Sequence, residues 1–283
     1  MGCKLKNRGF SLTEVLLSVG VLAVGMIFIA GVFPVGIHYT TIAIEQTKAA
    51  IVADEAFAKV RLYAVGDPFD LTDDFDPNEL GGAARRGEAL FDFNDSDIFP
   101  ATDKIDPNEF TYPSAGADIS QKWYYWSALC RLTSRYDRKS NRNPEVEVTV
   151  FVCRKIGRNP QYHDPDGSGF IDWPRPFKVD VDGGDEENEL ETRKFSQRTF
   201  INDGCVIVDD QTGRRYRVLE RYPDDARTPE REDKIILLDR DWDRSWPGGS
   251  PQAVWVVPPP VNGGRNPCIA VYQRTIPYLG VVK

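Results

Sequence analysis

The sequence predicts an α+β fold: a long N-terminal α-helix packed on an antiparallel β-sheet head with long acidic loops. Three observations predict it. From Val15 to Ile37 there is no Asp, Glu, Lys or Arg, and between Phe10 and Ile44 the one ionised side chain is Glu14. Ala50, Ala53, Phe57, Val60 and Ala64 then recur at spacings of three and four, the period of an amphipathic helix. Beyond residue 120, apolar and polar residues alternate in short runs broken by Gly, Pro, Asn and Asp, the pattern of strands and turns.

The apolar run is long enough to cross a bilayer, which takes about 20 residues of helix. Lys4, Lys6 and Arg8 precede it and orient it with the N-terminus inside. A cleaved secretory signal has a shorter apolar stretch and a small-residue cleavage site, and neither is found here. Pro34 interrupts the run and predicts a kink or a loosened turn. Gly66 followed by Asp67-Pro68 reads as a helix stop. One helix from about Ser11 to Val65 would be roughly 80 Å long at 1.5 Å per residue. Its first half would be transmembrane and its second half would lie against a soluble head.

Residues 67–120 are acidic and rich in Pro, Gly and Asp. Asp76-Pro77-Asn78-Glu79 and Asp106-Pro107-Asn108-Glu109 repeat one pattern: Asp as helix cap, Pro at the first helical position, Glu two later. Each predicts a short helix. Asp70, Asp73, Asp74 and Asp76 read as a solvated acidic loop, with a metal cluster as the rarer reading. The run 180–191 reads as a solvated, mobile loop.

The head's strands begin at Trp123-Tyr124-Tyr125-Trp126, in a run to about Thr133. Trp123 and Trp126 lie three apart, hence on opposite faces, and core packing accounts for at least one of them. Val146, Val148, Val150 and Val152 alternate with Glu145, Glu147, Thr149 and Phe151, with Asn141-Arg142-Asn143-Pro144 as the turn before them. A hairpin centred there would set Cys130 opposite Cys153, at a separation that suits a disulfide, with two buried free thiols as the competing reading. Further strands are read at 204–208 and 216–219, joined by Asp209-Asp210-Gln211-Thr212-Gly213, and at 235–238, 253–257 and 268–272. Pro258-Pro259-Pro260 ends a strand and spans a surface.

The net charge is −8. Without the three leader cations, 32 basic residues face 43 acidic ones, which disfavours non-specific nucleic-acid binding. The two histidines, His38 and His163, have no companion motif. There is no H-E-x-x-H, G-x-S-x-G or P-loop, so no enzyme is expected.

The stretch Gly9-Phe10-Ser11-Leu12-Thr13-Glu14-Val15-Leu16 resembles the class III signal of type IV prepilins and type II secretion pseudopilins. Val21-Leu22-Ala23-Val24-Gly25-Met26 resembles its PilV-like or GspI-like minor-pilin branch. Pro34 lies somewhat later than the proline many pilins carry. The resemblance covers about the first 40 residues. It implies a pilin-like fold with residues 1–9 as leader and 10–37 as membrane and fibre-core helix; beyond it, the residues themselves read as 38–66 the amphipathic continuation of the helix, 67–120 an acidic loop region with short helices and 121–283 a β-rich head. It implies cleavage by a prepilin peptidase between Gly9 and Phe10, N-methylation of Phe10, and pairing of the Glu14 carboxylate with the Phe10 ammonium of a neighbouring subunit. The implied partners are that peptidase, other pilin or pseudopilin subunits and an inner-membrane assembly platform. The implied location is the bacterial inner membrane, with the head periplasmic. No cofactor is required.

Asp164-Pro165-Asp166-Gly167-Ser168-Gly169-Phe170-Ile171-Asp172 resembles the first nine positions of an EF-hand calcium loop. Asp164, Asp166, Ser168 and Asp172 would supply side chains and Phe170 its carbonyl. Arg175 stands where the twelfth-position Glu belongs, and a plain Gly/Asp turn is the competing reading. The rival function is a single-pass anchored binding module for calcium-dependent adhesion or glycan capture.

Overall fold

The computed structural model describes residues 11–63, 91–92, 106–114, 122–134, 145–156, 160–165, 169–221, 234–242 and 252–277. It contains a long N-terminal apolar helix followed by an antiparallel β-rich region, an α+β arrangement. The chain divides into two compact units, Met1–Lys48 and Ala49–Lys283. The boundary falls inside the single helix α1, Leu12–Tyr63.

In the first unit α1 is continuous through Pro34. In the second unit, its buried stripe is Ala49, Val52, Ala53, Ala56, Phe57 and Val60. That is the i, i+3, i+4, i+7 pattern of one helical face. Ala50, expected on this face, is exposed, and Ala49 takes its place. Ala64 and the Gly66-Asp67-Pro68 stop lie outside the described residues.

The stripe packs on a five-stranded antiparallel sheet. Its strands are β1 (Phe91–Asp92), β2 (Thr111–Tyr112), β3 (Tyr124–Ser134), β4 (Glu145–Arg154) and β13 (Cys268–Pro277), in the order β1-β3-β4-β13 with β2 also on β3. Trp126, Ala128, Val146, Val148, Val150 and Val152 meet the helix. Trp126 is 1% exposed and Trp123 54%, on opposite faces as their spacing predicts. Polar contacts pin the same helix segment. Lys59 Nζ donates to Glu109 O at 2.7 Å and pairs with Glu55 and Glu109. The second Asp-Pro-Asn-Glu motif folds as expected, as a 3-10 turn Pro107–Phe110 with Asp106 accepting the Asn108 N–H at 2.9 Å. The first lies outside the described residues, as do Asp70, Asp73, Asp74 and the turn 141–144.

Between β4 and β13 the chain forms a second body. After a small hairpin, β5 (Tyr162–His163) with β6 (Phe170–Ile171), come β7 (Phe177–Gly183), β8 (Glu189–Thr192), β9 (Val206–Asp209), β10 (Arg215–Arg221), β11 (Ile235–Leu238) and β12 (Gln252–Val256). These six close a barrel in the order β10-β11-β8-β7-β12-β9. Val179, Val181, Leu190, Ile207, Tyr216, Val218, Ile236, Val254 and Val256 fill it, so it is a packed core, as expected of a small barrel. The run 180–191 is therefore not a solvated loop. Val181 and Leu190 are buried, and β7 pairs with β8 through Val181↔Thr192 and Gly183↔Leu190. Two apolar residues at strand register outweigh the acids around them, which are exposed or half-buried except Glu189, whose buried carboxylate accepts the Glu186 N–H. The prolines are corrected too: Pro258 and Pro260 are buried.

The barrel covers the sheet face opposite the helix. Leu129, Phe151, Cys153 and Val271 of the sheet pack against Val208, Trp255 and Val257. The β9–β10 turn docks there too. Gln273 Nε2 donates to Gly213 O and to Thr149 Oγ1, and Arg215 donates to Val271 O at 2.7 Å.

Candidate functional site

The residues with most chemistry per position lie at the start of α1. Ser11 caps the helix: its Oγ accepts the Glu14 N–H at 3.2 Å, and its carbonyl accepts the same donor at 3.1 Å. Ser11-Leu12-Thr13-Glu14 is thus a Ser-x-x-Glu capping sequence, with an acid in the first turn where the helix dipole favours it. Sequence reasoning missed this second role of Glu14, although the spacing was there to read. Glu14 is exposed. Gly9 and Phe10 lie outside the described residues.

From Leu12 to Ile44 large apolar side chains are exposed around the helix, among them Leu16, Leu22, Ile27, Phe28, Phe33 and Ile37. It is the one helix among the described residues long and apolar enough to cross a membrane. Its hydroxyls bond back to their own turns. Ser18 donates to Val15 O (2.9 Å), Thr40 to Gly36 O (2.8 Å), Thr41 to Ile37 O (2.9 Å) and Thr47 to Ala43 O (2.9 Å). This removes donors that hydrocarbon would leave unsatisfied. A methyl group added at Gly20, Gly25, Gly31 or Gly36 would meet nothing within 4 Å, so no contact within the chain requires these glycines.

The cysteine expectation is corrected by the register. Cys130 pairs with Val148, and Cys153 with Tyr125, so the two cysteines are five positions out of register. They also lie on opposite faces, Cys130 in the core under the helix and Cys153 in the core under the barrel. The observed β3–β4 register differs from the expected one throughout, and β3 carries a bulge between Leu132 and Ser134. On its other edge, Cys153 faces Cys268 across β4 and β13. Burial holds the Cys153 thiol well above its ordinary pKa, and the neighbouring Cys268 adds to the effect. Cys205, in the barrel core, is pushed by burial up to about 12.

At the proposed calcium loop, Asp164, Phe170 and Asp172 are described, while Asp166 and Ser168 are not. The flanking elements are the short strands β5 and β6, with the Asp164 N–H donating to Gly169 O at 3.2 Å. No group of three or more His, Cys, Asp or Glu is arranged to hold a metal among the described residues. His163 packs between Phe170 and Phe200, ring centroids 5.8 and 4.6 Å away, and burial lowers its pKa. The β9–β10 turn holds a polar network instead. Asp209 accepts from the Gln211 and Thr212 N–H groups and the Thr212 hydroxyl, and burial raises its pKa. Asp210 takes the Trp255 indole N–H and the Lys178 ammonium, each at 2.7 Å. These bonds fix the turn.

Comparison of the chain with models of known protein families, with curated proteins and with solved structures found no match.

Proposed function

We propose that this chain is a structural minor pilin or pseudopilin. In this reading it is held in the bacterial inner membrane by α1 with its head outside the cytoplasm. A prepilin peptidase processes it between Gly9 and Phe10, and it joins a type IV pilus or type II secretion pseudopilus. The observation that carries the reading is the first half of α1: apolar on every side, with its Ser and Thr hydroxyls bonded within the helix, and bearing one carboxylate in its first turn, four residues after Phe10. A carboxylate at the centre of a membrane costs roughly 2.5–3.5 kcal/mol on insertion scales. A subunit whose neighbour offers an ammonium at the same depth offsets that cost on assembly. The glycines with open space around them suit close helix–helix approach between subunits.

Glu14→Gln is the informative variant, because it keeps a side chain that serves in the capping sequence and removes the charge. Expressed with an assembly machine, Glu14→Gln is expected to be processed and membrane-bound but largely lost from sheared fibres. Mass spectrometry of the unaltered protein is expected to show an N-methylated Phe10 terminus, and Gly9→Ala is expected to block processing. An intact Met1 terminus in protein from assembling cells would overturn the reading.

A further inference from the structure

Cys153 is the penultimate residue of β4 and Cys268 the first of β13, the strands that lead into and out of the barrel. They are direct partners across the two strands. The Arg154 N–H donates to Pro267 O at 2.8 Å, the bond of the adjacent pair, so the cysteines occupy a non-hydrogen-bonded position. There Cα atoms approach to about 4.5 Å and side chains lie closest, within the span a disulfide bridges. The bulge after Cys268 ends the regular ladder at that point. The two thiols also differ in access: Cys153 is buried and Cys268 half-buried.

We propose that Cys153 and Cys268 form a disulfide that closes the neck through which the barrel is inserted in the sheet. The oxidant is a disulfide compound, such as oxidised glutathione. The Cys268 thiolate attacks one sulfur of that compound, releasing one reduced glutathione and leaving a mixed disulfide on Cys268. Cys153 then loses its proton to solvent, and its sulfur displaces the second glutathione. Two protein thiols and one disulfide become one protein disulfide and two thiols. Cys205 lies in the barrel core, off the β4–β13 ladder but close enough to Cys268 to feel its charge, and is the competing thiol; Cys130 lies on the far face of the sheet. The bond would link the ends of the whole 155–267 insertion. Long closed loops are those for which cross-links restrict the unfolded chain most. This proposal stands on strand register and is independent of the reading of α1.

The test equilibrates the full chain in detergent micelles with oxidised glutathione, alkylates the remaining thiols and maps peptides without reduction. The expected result is one cross-linked pair, Cys153 with Cys268, and a Tm roughly 5–15 °C above that of the reduced protein. Cys268→Ser, at the half-buried position, is expected to unfold cooperatively near the reduced Tm and to lose both the cross-link and the oxidant-dependent rise. Cys205→Ser is expected to retain both. Full alkylation of Cys153 and Cys268 after oxidation, or a cross-link from Cys268 to Cys205, would overturn the proposal. So would an oxidant-dependent rise that persists in Cys268→Ser.

Discussion

The two parts of α1 are both apolar and sit in opposite surroundings. From Leu12 to Ile44, large side chains such as Phe28 and Phe33 are exposed on every side. From Ala49 to Val60, six residues on one face are buried and the intervening ones, such as Asp54 and Ala58, face outward. The first part carries Leu, Ile, Val and Phe with almost no charge. The second carries three alanines in its buried stripe, with Asp54, Glu55, Lys59 and Arg61 around them. Hydrophobic content alone does not say what a helix packs on. A one-sided apolar stripe specifies a partner in the same chain, whereas an all-round apolar surface leaves its solvent to be supplied from outside.

The largest test of this contrast pairs two phenylalanines. Phe57 is 3% exposed beneath the Arg274 guanidinium, and Phe57→Ala is expected to cost the head roughly 3–5 kcal/mol. Phe28→Arg is expected to leave the head's unfolding free energy, read from urea titration, within about 0.5 kcal/mol while opposing membrane insertion by roughly 2.5–3.5 kcal/mol. Equal effects of the two on the head would break the contrast.

A smaller effect separates the sheet from the barrel that covers it. Gly213 has φ +70, and a Cβ there would lie 3.2 Å from both Arg131 Nε and Glu147 Oε2. Arg131 and Glu147 are themselves paired across β3 and β4. Gly213→Ala is expected to cost about 1–2 kcal/mol for the left-handed backbone, measured by denaturation. Gly20→Ala in the exposed helix should be neutral or slightly favourable, since alanine is the better helix former.

The smallest effect is on pH dependence. Burial depresses the folded pKa of His163, so its stability contribution is present above the unfolded value near 6.5 and lost as pH falls through the folded one. Burial raises that of Asp209, so its contribution is full below the unfolded value near 3.9 and lost as pH rises through the folded one. In urea midpoints, His163→Gln is expected to reduce the loss of stability on acidification from about pH 7 to about pH 5. Asp209→Asn is expected to remove an opposing gain at lower pH.

The sequence made the helix, the strands at 235–238 and the 204–219 hairpin legible, because each is a local pattern. In β4 it also held a sign that went unused. Phe151 and Cys153 stand at positions where a one-sided strand would carry polar residues, and both are buried under the barrel. The barrel was less readable because closure depends on pairings such as β12 with β9 and β11 with β8, which join strands far apart in the chain. The same limit explains the cysteines. A hairpin turn suggests a register between neighbours in sequence, but the strands pair in another register with a bulge in β3, and the strand partner of Cys153 lay more than a hundred residues away. Glu14 was found as a charge out of place, and its part in the capping sequence emerged once the first turn could be seen.

The insertion of the barrel between two paired strands has a consequence for the order of folding. β13 is needed to complete the sheet, yet it is separated from β4 by all of residues 155–267. Joining those strands across an unstructured segment carries a loop-closure penalty that grows with segment length, and distant pairings are slow to form. The local hairpins β7–β8 and β9–β10 face no such delay. These hairpins are therefore expected to acquire hydrogen-exchange protection before β13 does. The strand that finishes the first sheet would then be the last to dock, once a folded insert has brought its two ends together.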